Sequence, residues 1–424
     1  MSIASSPAAV RSWFDVVAVR KQFPALSLRH GEREAVYFDG PAGSQVPQTV
    51  IDAIANYLRT MNANHGGVFA TGERSDALLD EAHRAAADFV AADDPECCYF
   101  GANMTTMTFA LSRALAQTWN RGDEIVVSRL DHDANVTPWV LAARDAGVIV
   151  KRIEIRDDCT LDLDDLRGKL TSRTRLVAVG CASNAVGTVN PVAEIAAMAH
   201  AVGAKVFLDA VHYAPHRLID VAAWGCDFLV CSAYKFFGPH VGIVWGRREL
   251  LESLAAYKVR PAPNELPGKW MTGTQNHEGI AGVLAAIDYL AGLGSDSQGP
   301  AAPTRRQALT RAFSKINDYE RELAEQFQAG VDRLPQFRSY GIVDRARFAE
   351  RVPTFSIRHR SFPSIEVARR LAAAGIYAWH GNFYALPLTE TLGVEPAGLV
   401  RIGLLHYNTK EEVEYLLDVL KAIE

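Results

Sequence analysis

Several kinds of chemistry are excluded by what this sequence lacks. It has no GxGxxG fingerprint in a strand–turn–helix setting, no P-loop and no HExxH. Dinucleotide, P-loop nucleotide and zincin-type chemistry therefore have no anchor. The six cysteines (97, 98, 159, 181, 226 and 231) contain no CxxC pair, and none follows Cys231. That spacing matches neither a secreted disulfide framework nor a zinc site, and reduced thiols in a cytoplasmic protein are the expectation. No apolar run reaches membrane-spanning length, so no membrane association is expected. The first residues are interrupted by Arg11, Asp15, Arg20 and Lys21, which leaves no signal-peptide core. No basic tract accompanies the formal charge of −5, which argues against nucleic acid as a partner. What is present is 424 residues, 49% hydrophobic, enough for two or more domains and a large core.

One stretch organises the rest: Cys226-Asp-Phe-Leu-Val-Cys-Ser-Ala-Tyr-Lys-Phe-Phe-Gly-Pro239. An apolar run, Phe228 to Cys231, stops at small polar residues, and Lys235 follows just past its end. Gly238-Pro239 turns the chain into a second buried strand, Val241 to Trp245. A lysine where a core strand ends has its amine at a pocket. Partial desolvation lowers its pKa, and a neutral amine can form a Schiff base. Alone, such a lysine is more often a solvated surface residue. A second stretch, Ala204 to Tyr213, is a hydrophobic strand ending in Asp209, with His212 three residues on. A carboxylate there is costly unless it meets a cation. It reads as a cap or turn residue, or as the partner of a protonated pyridine nitrogen. Pyridoxal phosphate needs both a lysine for its aldehyde and an acid for its ring nitrogen, and two successive strand ends can supply them.

With these stretches and the ordered motifs below, the chain from about Tyr37 onward resembles the class V aminotransferase superfamily of fold-type I pyridoxal-phosphate enzymes. It is most similar to the cysteine desulfurase-like branch. The resemblance implies an α/β large domain (37–293) with a mainly parallel seven-stranded sheet and a smaller α+β C-terminal domain (294–424). A segment at 1–36 would pack with the small domain. It also implies an amino-acid substrate and a homodimer with shared active sites.

Other motifs fall into place on that frame. Tyr37 to Ser44 is a strand and a small-residue turn, read as a loop lining the substrate pocket, and a helix follows from Pro47. Asn62 to Gly67 is a polar loop in which His65 is a substrate-side candidate, and Ser75 to Val90 is a helix. Tyr99 to Thr108 runs strand, glycine turn, paired threonines and helix. Free N–H groups and the dipole at a helix start attract anions, although threonines there also serve as ordinary caps. The resemblance makes Thr105 and Thr106 phosphate ligands. Asp131-His-Asp133 is too tight a cluster for good metal coordination. The resemblance instead sets His132 face-on against the cofactor ring, where it can also move protons, with Asp133 where relatives often carry a second histidine. Asn184, at the end of the buried run Leu176 to Gly180, forms an Asx turn or bonds the cofactor's phenolic oxygen or the substrate carboxylate. A helix from Val192 to Gly203 and the strand to Asp209 complete a right-handed βαβ unit. By resemblance His212 touches the phenolic oxygen, Ser232 the phosphate, and Thr274 the phosphate of the opposite subunit.

The chain departs from the resemblance near its end. Desulfurases of this branch carry a nucleophilic cysteine on a loop after a Gly-Ile strand. Here Gly375-Ile-Tyr-Ala-Trp-His-Gly-Asn-Phe-Tyr-Ala-Leu-Pro-Leu388 places Tyr384 in that position and Trp379 where a family arginine is found. A phenol cannot hold a persulfide. Arg401, inside an apolar strand pattern, is retained as a carboxylate-binding guanidinium. The resulting expectation is a pyridoxal-phosphate enzyme with Lys235, Asp209 and His132 as its chemical core, acting by β-elimination or carbon–sulfur cleavage. Alternatives are transamination, epimerisation with Tyr384 or His380 as the opposing acid, and true desulfuration through another thiol. Trp379, Phe383 and Tyr384 suggest a bulkier or more aromatic substrate than free cysteine.

Overall fold

The computed structural model describes residues 14–295 and 302–423. Seven strands make the central sheet: β1 (Cys98–Gly101), β2 (Glu124–Ser128), β3 (Ile149–Ile153), β4 (Thr174–Gly180), β5 (Lys205–Asp209), β6 (Phe228–Ser232) and β7 (Gly242–Gly246). Their order is β1-β7-β6-β5-β4-β2-β3. The run from β6 to β3 is parallel, and β7 is antiparallel to both β6 and β1. The inner strands are apolar almost throughout because both faces are covered. Val177, Val179, Val206, Leu208, Leu229 and Cys231 enter one core. Their neighbours Leu176, Ala178, Phe207, Phe228 and Val230 enter another on the opposite face, as the two-residue period of a strand requires. Parallel strands bring Ser128, Gly180, Asp209 and Ser232 to one edge, which is where a site can form.

The helices that matter here are α1 (Gln48–Thr60), α2 (Ala70–Val90), α3 (Met104–Ala116), α4 (Val192–His200), α5 (His277–Gly292) and α6 (Arg305–Val331). Helix α2 begins at Ala70, earlier than the expected Ser75. Gly72 lets its first turn lie against the loop before it, since a Cβ at Gly72 would sit 2.5 Å from the Gly67 carbonyl oxygen.

A second sheet is built from β8 (Phe337–Tyr340), β9 (Thr354–His359), β10 (Trp379–Gly381) and β11 (Leu399–Gly403), all antiparallel, in the order β8-β9-β11-β10. It packs with α7 (Ser364–Ala373) and α8 (Lys410–Lys421) around a third core. Helix α6 belongs to both halves. Leu309, Phe313 and Ile316 enter the first core, and Leu323, Phe327 and Val331 the third. Val36–Tyr37 pairs in parallel with Ile376–Tyr377 as a separate two-stranded ribbon, and a single bridge joins Asp39 to Gly403 at the end of β11, so the chain touches the second sheet before it enters the first. Among the described residues no helix is long and apolar enough to cross a membrane.

Candidate active site

A cavity of about 490 Å³ opens at the C-terminal edge of the central sheet. Lys235 reaches it from a short 3₁₀ turn, Ala233–Lys235, directly after β6. Its Nζ donates to the carbonyl of Ala42 at 3.0 Å and to that of Pro41. Burial lowers its pKa to about 7, with the Arg401 charge acting in the same direction and Asp209 and Asp39 opposing it. A neutral amine is therefore well populated near neutral pH.

Asp209 ends β5 beside it. Burial raises its pKa to about 6, opposed by the Val211 N–H, 2.8 Å from Oδ1, and by Lys235. A cationic group against its other oxygen would hold it ionised. Asp131, after β2, is also buried in the wall, and burial raises its pKa to about 7. Both of its oxygens accept from the Gly180 N–H at 3.0 Å, so it joins the ends of β2 and β4.

His132 follows. Its Nδ1 accepts from the Ala134 N–H at 3.0 Å, which leaves the ring proton on Nε2. Burial, with Lys235 and Arg401, lowers its pKa to about 4, so it is a neutral imidazole.

The second sheet supplies the outer wall. Arg401, on β11, is buried, and burial lowers its pKa to about 9. Its Nη1 donates to the Asn184 carbonyl at 3.0 Å, its Nε has no partner, and its guanidinium lies 4.5 Å from the Phe383 ring centroid. Asn184 donates through Nδ2 to the Phe383 carbonyl at 2.9 Å, and its Oδ1 has no partner. A buried cation with no carboxylate in direct contact, feeling Asp39 only at longer range, next to an orphan amide oxygen, is a seat for an anion that also carries a donor.

The anion site at the helix start takes a different form from the paired-threonine expectation. Asn103 caps α3, and its Oδ1 accepts from both the N–H and the hydroxyl of Thr106. Thr106 is thus occupied by the cap and is outside the cavity lining, while Thr105 lines it with Asn103 and Met104. Successive helix residues are about 100° apart, so the two threonines face different ways. Ser232 Oγ accepts from the Met104 N–H at 3.0 Å.

Lys235, Asp209, His132, Thr105, Asn184, His212, Ser232, Tyr384 and Arg401 all line this one cavity. His65 and Thr274 do not. They line a separate cavity of about 990 Å³, where His65 pairs with Asp76 at 2.7 Å. His380 is exposed outside the pocket. It neighbours Trp379 on β10, and strand alternation gives Trp379 to the pocket and His380 to the other face. Sequence reasoning missed Asn103, whose signal is an asparagine directly before a helix. It also missed Asp39 and Asp131 as buried carboxylates. Burial raises Asp39 to about 6 while Arg401 and Lys235 lower it.

The donor set fits pyridoxal phosphate. One buried amine, one buried carboxylate, a helix start with hydroxyls and three orphan polar atoms, Asn184 Oδ1, His212 Nδ1 and Arg401 Nε, surround one cavity. Comparison with known proteins agrees. The family model Aminotransferase class-V matches residues 36–416. A cysteine desulfurase of Klebsiella pneumoniae subsp. pneumoniae is 32% identical over 430 residues, spanning 97% of this chain and 98% of the relative. An aminotransferase-like protein of Gibberella zeae is 31% identical, spanning 97% and 99%. The apo structure of a cysteine desulfurase from Thermococcus onnurineus NA1 superposes with a TM-score of 0.85 at 26% identity, covering 99% of both chains.

Proposed function

The chain belongs to the class V aminotransferase family, is cysteine desulfurase-like and is a pyridoxal-phosphate-dependent enzyme; from that premise we propose that it removes the β-substituent of an amino acid by elimination. Cleavage of a carbon–sulfur bond is the favoured case, and no protein persulfide forms. One observation carries this reading. All six cysteines are buried, and none lines the cavity. The loop facing the pocket presents Phe383 and Tyr384 instead. Burial raises the pKa of Cys181 and Cys231, the two nearest the strand ends, well above that of a free thiol. Neither is a competent thiolate.

When bound, the cofactor supplies an electron sink for the pair left at the substrate Cα. Lys235 would hold its aldehyde and Asp209 its ring nitrogen. Thr105 and Ser232 would hold its phosphate. Arg401 binds the substrate α-carboxylate and fixes the amino acid's orientation. Lys235 takes the Cα proton. The β-substituent departs as a thiolate with its bonding electrons, and water completes the reaction to a 2-oxo acid, ammonia and the thiol. His132, held neutral, packs beside the reacting centre. Transamination differs in where Lys235 returns the proton. Epimerisation needs an acid on the opposite face, for which Tyr384 is the candidate inside the pocket.

The active unit we propose is a homodimer. The second cavity holds His65 and Thr274 away from this chain's own pocket, and Val68, Phe69, Tyr257 and Val259 lie exposed. A second copy would cover them and give both residues a role. Six free thiols support a reducing, cytoplasmic setting. The test is incubation of the holoenzyme with an S-substituted L-cysteine. Thiol, ammonia and pyruvate support elimination, and a 2-oxo acid that forms only with an added amino acceptor assigns transamination instead.

A further inference from the structure

A second group of titratable side chains is buried behind the pocket. His216 Nδ1 and Glu320 Oε2 lie 2.7 Å apart, with side chains 2% and 3% exposed. His216 follows β5, while Glu320 comes from the middle of α6. The His216 ring meets that of His212 edge-on, at 5.4 Å and 74°. His212 lines the cofactor pocket. Its Nε2 is 2.9 Å from Thr354 Oγ1, and its Nδ1 has no partner. On the far side, His216 and Glu320 line a cavity of about 190 Å³, with Arg217, Asp318, Arg321 and Arg351 in its wall. Glu320 Oε1 and Arg217 Nε are also without partners. The result is a run of packed side chains from pocket to His212, His216, Glu320 and a second cavity.

A carboxylate buried this deeply is costly unless a cation or a shared proton compensates it. Glu320 faces His216 and Arg217, and the backbone at His406. A proton shared by Glu320 and His216 keeps the pair neutral overall and turns its positive end toward His212. His212 faces Lys235, Arg401 and His132 as well as His216, and burial with these neighbours holds it far below the ordinary histidine pKa. We propose that Glu320 and His216 are positioning residues for the cofactor pocket: they hold one proton between them and keep His212 neutral.

The test is a pH titration of the cofactor's visible absorption band in resting holoenzyme. It needs no substrate, so it does not depend on which reaction branch the enzyme follows. In Glu320→Gln the positive end of the pair is lost from behind His212, and the midpoint moves to higher pH by about half a unit or more. Glu320→Asp restores a carboxylate and returns most of that shift. Should Glu320→Gln fail to fold, His216→Asn is titrated with the same expectation. The melting temperature is followed in parallel, because a pair that only ties α6 to the central sheet would change it. Titrations that superimpose on the parent overturn the proposal, whatever the melting temperature does.

Discussion

The rings of His132 and Tyr384 are stacked, with centroids 5.4 Å apart and planes 26° from parallel. The backbone is tied at the same place, since the Asp133 N–H donates to the Tyr384 carbonyl at 2.7 Å. Phe383 and Tyr384 both have left-handed φ, 58° and 57°, a conformation costing on the order of 1 kcal/mol or more for each such residue. The loop is thus held against the pocket by contacts with Asn184, Asp133 and His132. Tyr384→Phe keeps the stack, and elimination should stay within about threefold of the parent. Tyr384→Cys puts a thiol on this loop, and with L-cysteine it should yield alanine and a protein persulfide, read by intact-protein mass spectrometry. A Tyr384→Phe variant fully active on cysteine, with no other substrate turned over, would contradict a bulkier substrate.

Lys235 gives a pH dependence. Its amine titrates near pH 7 in the folded chain, below the ordinary lysine value, so the neutral form grows as pH rises through about 7. Reconstitution of the apoprotein with pyridoxal phosphate should accelerate across pH 6 to 8 and level off above it, followed by growth of the visible band. The same shift acts on stability. Between about 7 and the unfolded value of ~10.4 the unfolded state binds more protons, so this lysine's contribution makes the apoprotein more stable as pH rises through that window. A reconstitution rate still climbing at pH 10 would show an ordinary lysine.

Arg401 is buried with its Nε unpaired. Arg401→Lys keeps a charge but loses the two-pronged donor, worth about 1.5–3 kcal/mol for a charged hydrogen bond. KM for the amino acid should rise ten- to a hundredfold, with a smaller change in kcat. An unchanged KM would move the carboxylate elsewhere.

Asn103 holds the start of α3 through Thr106. Asn103→Ala should cost about 1 kcal/mol of stability as a lost helix cap. It should also weaken cofactor retention, measured by dialysis of the holoenzyme. Thr106→Val, away from the cavity, should leave retention nearly unchanged.

Much of the site was legible because its residues stand at strand ends. Lys235, Asp209 and Asn184 each follow an apolar run, and a parallel sheet gathers such ends at one edge. Asp39 and Asp131 were not legible, because the groups that compensate them, Arg401 and the Gly180 amide, are remote in sequence. Strand β10 is three residues long and exposed or only partly buried, so no alternation announces it. His380 was misplaced with it. His65 and Thr274 lie outside this pocket and line a second cavity, and the role expected of them belongs to the proposed homodimer.

The central claim is that the substrate's sulfur leaves as a free product and never rests on the protein. The most direct measurement is mass spectrometry of intact holoenzyme and its products after a single turnover, with L-cysteine and with an S-substituted L-cysteine. Pyruvate, ammonia and a released sulfide or thiol are expected, with the protein mass unchanged. Alanine together with a protein heavier by one sulfur atom would contradict it.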